Sequence, residues 1–332
     1  RTIEKANEIL QAGAKKIIIG TKANPVFLKQ LPKDRVIVAV DTKDNYVVNE
    51  GWTKKTSNTP KQLIKKLQSY CSGFLFTNVN KEGMMQGTDF DIIKKLRLLT
   101  KNKLTVAGGI SSIEEIKKLE RLGADSQIGM ALYKGKINLP NAFASLLDFD
   151  KNNGLIPTIV QDDRKQVLML AFSSKESLLR TFKTGKATYY SRSRRKIWTK
   201  GETSGNYQEI SRVKYDCDRD TLLFTVKQKN AACHEGEYSC FGEKEFSFEE
   251  LYDAVKDRII NPKASSYTSK IASDETKIKK KIREECLELL NYKDKGNLVW
   301  ETADLLYFIF ILMARNGIEI RDIENELWKR RK

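Results

Sequence analysis

The apolar residues of this 332-residue chain change their periodicity twice, and no single core suits all three patterns. Up to about residue 146, short apolar runs (KKIIIGT, RVIVAVDT, GFLFTNV, LTVAGGI, SQIGMAL) alternate with amphipathic stretches such as TPKQLIKKLQSYC, FDIIKKLRLLT and SIEEIKKLERLGA. Strands separated by helices predict a parallel sheet, with strands over 16–21, 36–41, 74–79, 104–108 and 126–130. Arg1 falls inside what reads as a helix, which predicts an upstream part beyond this sequence. LLDFDKNNG, 146–154, is polar and turn-rich and reads as a linker. From 155 to about 242 the pattern becomes strands and hairpins (LIPTIVQD, QVLMLAF, ATYYSRSR, KIWTKG, EISRVKYDCD, TLLFTVKQ) with one helix at SKESLLRTFKTG. Beyond 243 the chain reads as helical, around 248–260, 274–290, 298–316 and 318–330. Three domains are expected: 1–146, 151–243 and 244–332.

Apolar residues make up 40%, with no run judged long enough to cross a bilayer and no secretory pattern, so a cytoplasmic protein without a membrane partner is expected. Five cysteines are too few and too clustered for a disulfide scaffold, which leaves thiols for metal. Lys and Arg outnumber Asp and Glu by 60 to 43, a net charge of +17 that favours partners carrying phosphate. The same lysines, in KKLQ, IIKKL, EEIKKL and KIKKKI, also read as plain solvated helix faces.

Three of the five cysteines and the one histidine crowd into KYDCDRDTLLFTVKQKNAACHEGEYSC, residues 214–240. In a strand, Asp216, Asp218 and Asp220 would project to one side and Cys217 to the other. Three converging carboxylates need a hard cation such as Mg²⁺, whereas Cys217, Cys233 and Cys240 make a soft set suited to Zn²⁺ with a fourth position for water. His234, beside a ligand, is placed to move a proton. The bland alternative is a solvated hairpin end with cysteines as small buried hydrophobes.

In the helical region, Glu285 and Glu288 of KIREECLELL lie three apart on one face, and Glu301 and Asp304 of VWETADLLYFIFILMA repeat that spacing. Acids embedded in so apolar a helix need neutralising, and two facing pairs make an oxygen cage for Mg²⁺; an ion-paired surface face is the alternative. In the first region, AGGISS brings Gly108 and Gly109 to the start of a helix where Ser112 and Glu115 form a capping-box pattern, whose free N–H groups suit phosphate. Gly20 and Thr21 of IGT and Gly129 of IGMAL are candidates for the same role, though glycine at a strand end is often just a turn.

GETSGN (201–206), YYSRSR (189–194), DCD (216–218), ACH (232–234) and SCF (239–241) resemble phosphoribosyl-AMP cyclohydrolase of histidine biosynthesis, over roughly 151–242. The resemblance implies hydrolytic opening of the adenine ring, zinc held by Cys217, Cys233 and Cys240 drawn from two subunits of a homodimer, and magnesium held by Asp216, Asp218 and Asp220. Arg192, Arg194 and the loop Gly201, Glu202, Thr203, Ser204, Gly205 are then candidates for substrate phosphate and ribose.

SSYTSK (265–270), KIREEC and ETADLLY resemble phosphoribosyl-ATP pyrophosphohydrolase over about 244–332, which implies Mg²⁺-assisted attack of water on the phosphoanhydride. Arg283, Cys286 and Phe308 depart from that family's pattern. VAVDTKD, EGW and FTNVNKEG, with the glycine motifs, resemble phosphoribosylformimino-AICAR-phosphate isomerase over 1–146, matching strands four to eight of a (β/α)₈ barrel. Asp41 then corresponds to a catalytic acid/base and Thr77 to an assisting residue; Glu82 replaces an aspartate, and the partner aspartate of the family's first strand is not in this sequence, so the half barrel alone is expected to be inactive.

The expected protein is multidomain: a partial barrel, a mostly β α+β module, then an all-α module. It is read as a fused histidine-biosynthesis enzyme that uses Zn²⁺ and Mg²⁺, binds phosphoribosyl-ATP and phosphoribosyl-AMP, and has no nucleic-acid partner. The competing readings are a general nucleotide pyrophosphatase and a non-enzymatic nucleotide- or nucleic-acid-binding protein, the latter marked by salt-sensitive binding without turnover.

Overall fold

A computed structural model of the chain describes residues 2–243 and 246–330. It divides into two compact units, residues 1–243 and 244–331. In the first, α1 (Ile3–Gln11) is followed by β1 (Ile17–Ile19), α2 (Pro25–Leu28), β2 (Val36–Lys43), β3 (Tyr46–Asn49), β4 (Lys54–Lys55), α3 (Pro60–Leu67) and β5 (Gly73–Asn78). Then come α4 (Phe90–Arg97), β6 (Lys103–Ala107), α5 (Ile113–Arg121), β7 (Asp125–Ser126), α6 (Met130–Tyr133) and α7 (Leu139–Ser145).

β1, β2, β5, β6 and β7 pair in parallel in that order, as the strand–helix alternation predicts. Alternation within β2 explains the layering. Val36, Val38 and Val40 are buried in one core with Ile64, Leu67, Ile93, Leu96, Ile116 and Leu119 of the helices, while Ile37, Ala39 and Asp41 on the opposite face stay half-buried. The first helix begins at Ile3, where the Thr2 hydroxyl accepts from the Lys5 N–H at 3.3 Å, and Arg1 lies outside the described residues. Two expectations need correcting. The fifth strand is only Asp125–Ser126, because Gly129 ends the extended run and Met130 begins a helix. Between β2 and α3 the chain forms an unforeseen antiparallel hairpin, with Asp44 and Asn45 both at positive φ in a two-residue turn.

The rest of the first unit is built from β8 (Leu155–Asp162), β9 (Val167–Ser174), α8 (Lys175–Thr184), β10 (Thr188–Ser191), β11 (Lys196–Thr199), β12 (Gln208–Tyr215) and β13 (Leu222–Gln228). The sheet order is β12-β13-β8-β9, with β10 and β11 as a separate hairpin. Its own core holds Ile156, Val160, Leu178, Tyr189, Leu222 and Phe224. The segment 146–154 is less a free linker than expected: Leu147 is buried in this core and residues Asp150–Asn152 make a 3₁₀ turn.

The second unit contains α9 (Phe248–Ile260), α10 (Tyr267–Ala272), α11 (Glu275–Leu290), α12 (Lys295–Arg315) and α13 (Ile320–Arg330). Val255, Ile278, Phe308 and Ile311 form one apolar cluster and Tyr252, Phe310 and Met313 another. By length and composition alone α12 is long and apolar enough to cross a bilayer, contrary to the sequence reading. The run was missed because Glu301 and Asp304 interrupt it.

Candidate functional site

The chemistry-bearing residues gather in four places. The first is the loop between β12 and β13. The expectation that Asp216 to Asp220 continue a strand is wrong: β12 stops at Tyr215. Asp216 Oδ1 accepts from the backbone N–H of Asp220 (3.1 Å) and Thr221 (3.2 Å), and Arg219 turns to a φ of 66°, so the segment curls into a loop. Strand alternation therefore does not sort the ligands, yet the carboxylates converge, with oxygens of Asp216, Asp218 and Asp220 all within 4.8 Å of one another. The Lys151 ammonium lies 2.8 Å from Asp218 Oδ2 and also pairs with Asp220. Those hydrogen bonds hold both aspartates below the usual carboxylate range and raise Lys151.

The second place is the thiol pair Cys233 and Cys240. Cys233 N–H donates to the Glu237 carbonyl (3.0 Å) and Cys240 N–H to the Leu168 carbonyl (2.8 Å), which fixes both backbones. Burial, then the neighbouring Cys233, pushes the Cys240 thiol up. The three expected sulfurs do not close within one chain: among the described residues no such group forms, and Cys217 sits exposed in the acid loop. His234 is 90% exposed, its Nδ1 3.9 Å from Cys233 Sγ.

Lys200, which the sequence reading passed over, reaches this pair. Its Nζ donates to the Ala232 carbonyl at 2.5 Å, and burial depresses its pKa while the thiols work the other way. It precedes the 201–205 loop, where Gly205 N–H bonds the Gly201 carbonyl (2.8 Å), Thr199 N–H bonds the Glu202 carboxylate (3.2 Å) and Asn206 N–H bonds the Ser204 hydroxyl (3.3 Å). Gly201, at φ 85°, has no room for a Cβ: one would lie 2.5 Å from the Asn206 carbonyl carbon and the Tyr207 nitrogen. The Arg192 guanidinium stacks 3.8 Å over the Phe172 ring, and Arg194 lies 5.7 Å from Trp198.

The third place is in the helical unit. Oxygens of Glu285 on α11 and of Glu301 and Asp304 on α12 lie within 4.8 Å of one another, with both glutamates buried. Glu288 is exposed and outside that trio, although its charge acts on Glu285. Burial pushes Glu285 above the usual range; Lys281, 3.6 Å away, opposes this and the three other acids add to it. Asn297, unforeseen, donates to Glu301 Oε1 at 2.7 Å and orients it.

At the strand ends of the first sheet, Gly108, Gly109 and Gly129 line one cavity of about 40 Å³ together with Glu82. Gly20 and Thr21 line a different one, and Thr21 is engaged by the Glu50 N–H at 3.1 Å. The reciprocal capping box is only half made. Ser112 accepts from Glu115 N–H (3.3 Å), but the Glu115 carboxylate takes the N–H groups of Ser111 (2.8 Å) and Thr88 (2.9 Å) instead. Burial works against that carboxylate, yet these donors together hold it below the usual range. The donors expected to be free for phosphate are thus partly used. Asp41 and Thr77 are register partners on β2 and β5, and Trp52 Nε1 donates to Asp41 Oδ2 at 3.0 Å.

Three stretches of the chain match known families. The chain matches the family profiles of a histidine biosynthesis protein over residues 1–138, phosphoribosyl-AMP cyclohydrolase over 169–242 and phosphoribosyl-ATP pyrophosphohydrolase over 248–331. It is 44% identical over 200 residues to the histidine biosynthesis bifunctional protein HisIE of Pyrococcus furiosus, covering 56% of this chain and 96% of that one. The chain belongs to the HisIE family. The corresponding protein of Thermoanaerobacter pseudethanolicus is 42% identical over 209 residues, 54% of this chain and 96% of its own. The histidine biosynthesis trifunctional protein of Saccharomyces cerevisiae is 41% identical over 179 residues, 54% of this chain and 22% of its own. As a HisIE relative with both hydrolase regions, the chain is a bifunctional enzyme of histidine biosynthesis with cyclohydrolase and pyrophosphohydrolase activities, joined to a sheet-containing N-terminal region of the histidine biosynthesis family.

Proposed function

We propose that the helical unit hydrolyses phosphoribosyl-ATP to phosphoribosyl-AMP and pyrophosphate with Mg²⁺, and that the middle region opens the adenine ring of phosphoribosyl-AMP with Zn²⁺ and Mg²⁺. The observation that carries this reading is the presence on one chain of a three-carboxylate cluster with both glutamates buried and, separately, a thiol pair accompanied by a three-aspartate loop.

The donor sets fit these ions. Glu285, Glu301 and Asp304 offer only hard oxygen ligands, their mutual repulsion is relieved by a divalent cation, and Asn297 keeps Glu301 aimed at the cluster. Held by these residues, such an ion would supply neutralisation of phosphate charge and activation of water for the anhydride. Lys281, beside Glu285, supplies a further positive charge for the phosphates.

In the middle region Cys233 and Cys240 provide two sulfurs, and the third, Cys217, comes from a second copy of the chain in a homodimer. Those three sulfurs would hold a zinc ion, whose chemistry when bound would be to lower the pKa of water at neutral pH. His234 stands next to Cys233 in the open, free to take up or deliver the proton that moves during ring opening. Arg192 and Arg194 and the 201–205 loop hold the phosphate and ribose, and Lys200 braces the Ala232–Cys233 backbone through its bond to the Ala232 carbonyl. Asp216, Asp218 and Asp220 hold magnesium.

The first sheet is read as strands four to eight of a (β/α)₈ barrel, with Asp41 and Thr77 as the isomerase-type residues and Gly20, Thr21, Gly108, Gly109 and Gly129 as its phosphate-side glycines. Support comes from the parallel order of the strands and from the match over residues 1–138.

The test is product chromatography of the full chain given phosphoribosyl-ATP, Mg²⁺ and Zn²⁺. Cys233→Ala is expected to stop at phosphoribosyl-AMP and Glu285→Gln to leave phosphoribosyl-ATP intact. Unimpaired ring opening in C233A would sink the zinc assignment, and equal turnover of ordinary nucleoside triphosphates would sink the substrate assignment.

A further inference from the structure

The acid loop is tied to residues outside the hairpin region by three links. Lys151, in the 3₁₀ turn of the connecting segment, bridges Asp218 and Asp220. The backbone N–H of Asp148, in the same segment, donates to the Arg219 carbonyl at 2.9 Å. The Arg219 guanidinium, although it sits in sequence among the three aspartates, turns away to pair with Glu120 on α5 of the first sheet region. The cation nearest in sequence is therefore committed elsewhere, and the charge balancing Asp218 and Asp220 comes from a residue 67 positions away.

An ammonium shared between two carboxylates occupies the lone pairs that a hard divalent ion would need. Lys151 is about half exposed, so its hold is that of a screened pair and it yields to a doubly charged competitor with three anionic oxygens available. We propose that Lys151 is a resident counter-cation of this loop: it keeps the carboxylates together before a divalent ion arrives, and uptake of the ion expels it and loosens the connecting segment around residue 151. Lys151 is thus a positioning residue, and filling of the loop is transmitted to the segment that leads back to the first sheet. This inference rests on the reading that Asp216, Asp218 and Asp220 hold a divalent cation.

The experiment is Mn²⁺ binding, followed by the paramagnetic signal of the free ion, in the full chain carrying Glu285→Gln and Glu301→Gln so that the helical acids do not compete. Adding Lys151→Met is expected to tighten binding about fivefold at low salt, the effect of removing one half-exposed ammonium shared by two carboxylates, whereas Lys151→Arg stays near the parent value. In the parent, tryptic cleavage after Lys151 is expected to quicken when Mn²⁺ is added. Equal affinity in the parent and K151M overturns the role of Lys151 while leaving the cation site in place. Failure of both proteins to take up Mn²⁺ overturns the role and the cation reading together.

Discussion

Replacing Glu285 by Gln is expected to make the helical unit more stable without metal and indifferent to Mg²⁺. The magnitude follows from the geometry. Carboxylate oxygens at most 4.8 Å apart repel by at least about 3.5 kcal/mol per pair at an effective dielectric of ~20. Glu285 meets two such partners inside the trio and is offset by Lys281 at 3.6 Å, whose charge is partly screened by solvent. A net gain of about 1–3 kcal/mol is left for the neutral amide, as Gln keeps the volume. The pH dependence has the matching sign. Glu285 is raised above its ordinary 4.5, so the folded unit binds more protons than the unfolded chain, and stability falls as pH climbs from that value through the raised one. Hydrogen exchange read by mass spectrometry on the peptides of α11 and α12 isolates this unit from the rest of the chain. Parent protein should gain protection on adding Mg²⁺, and E285Q should start higher and gain none. An E285Q unit that is less protected than the parent without metal, or one that still responds fully to Mg²⁺, would refute the account of repelling acids gathered for a cation.

Two further outcomes are expected. Gly201→Ala should cost about 3 kcal/mol and disorder the loop, because the new methyl lies 2.5 Å from backbone atoms at a positive φ; near-normal thermal unfolding with intact ring opening would contradict this. Asp218 and Asp220 are depressed below 3.8 chiefly by the hydrogen bonds from Lys151, so the stability difference between parent and K151M should be fully present above that pH and vanish as pH falls through the lowered values. A difference that persists unchanged in strong acid would show that the pair contributes through something other than charge.

What could be read in the sequence was whatever depends on local spacing. Acids three apart on helices keep their face whatever the tertiary packing, so Glu301 and Asp304 lie together, and near Glu285; Glu288 falls outside because only tertiary packing decides which rotation of α11 faces α12. Reading Asp216 to Asp220 as strand failed because aspartate side chains compete for their own backbone, and Asp216 captured the N–H groups of Asp220 and Thr221. The hairpin after β2 carried a legible signal, the Asp44–Asn45 pair suited to positive φ, but the regular alternation on either side masked it. Lys200 had no signal at all, since its bond to Ala232 spans 32 residues. Nor did anything local reveal that Glu115 would spend its carboxylate on Ser111 and Thr88.

Among the described residues, the buried clusters of residues 1–243 and those of the helical unit have no member in common. Heat or denaturant can therefore dismantle one catalyst while its neighbour keeps turning over, much as a relay continues up to the runner who has fallen. Losing the front unit first would let the ring-intact monophosphate pile up; losing the rear one first would starve a healthy ring-opener of its feedstock.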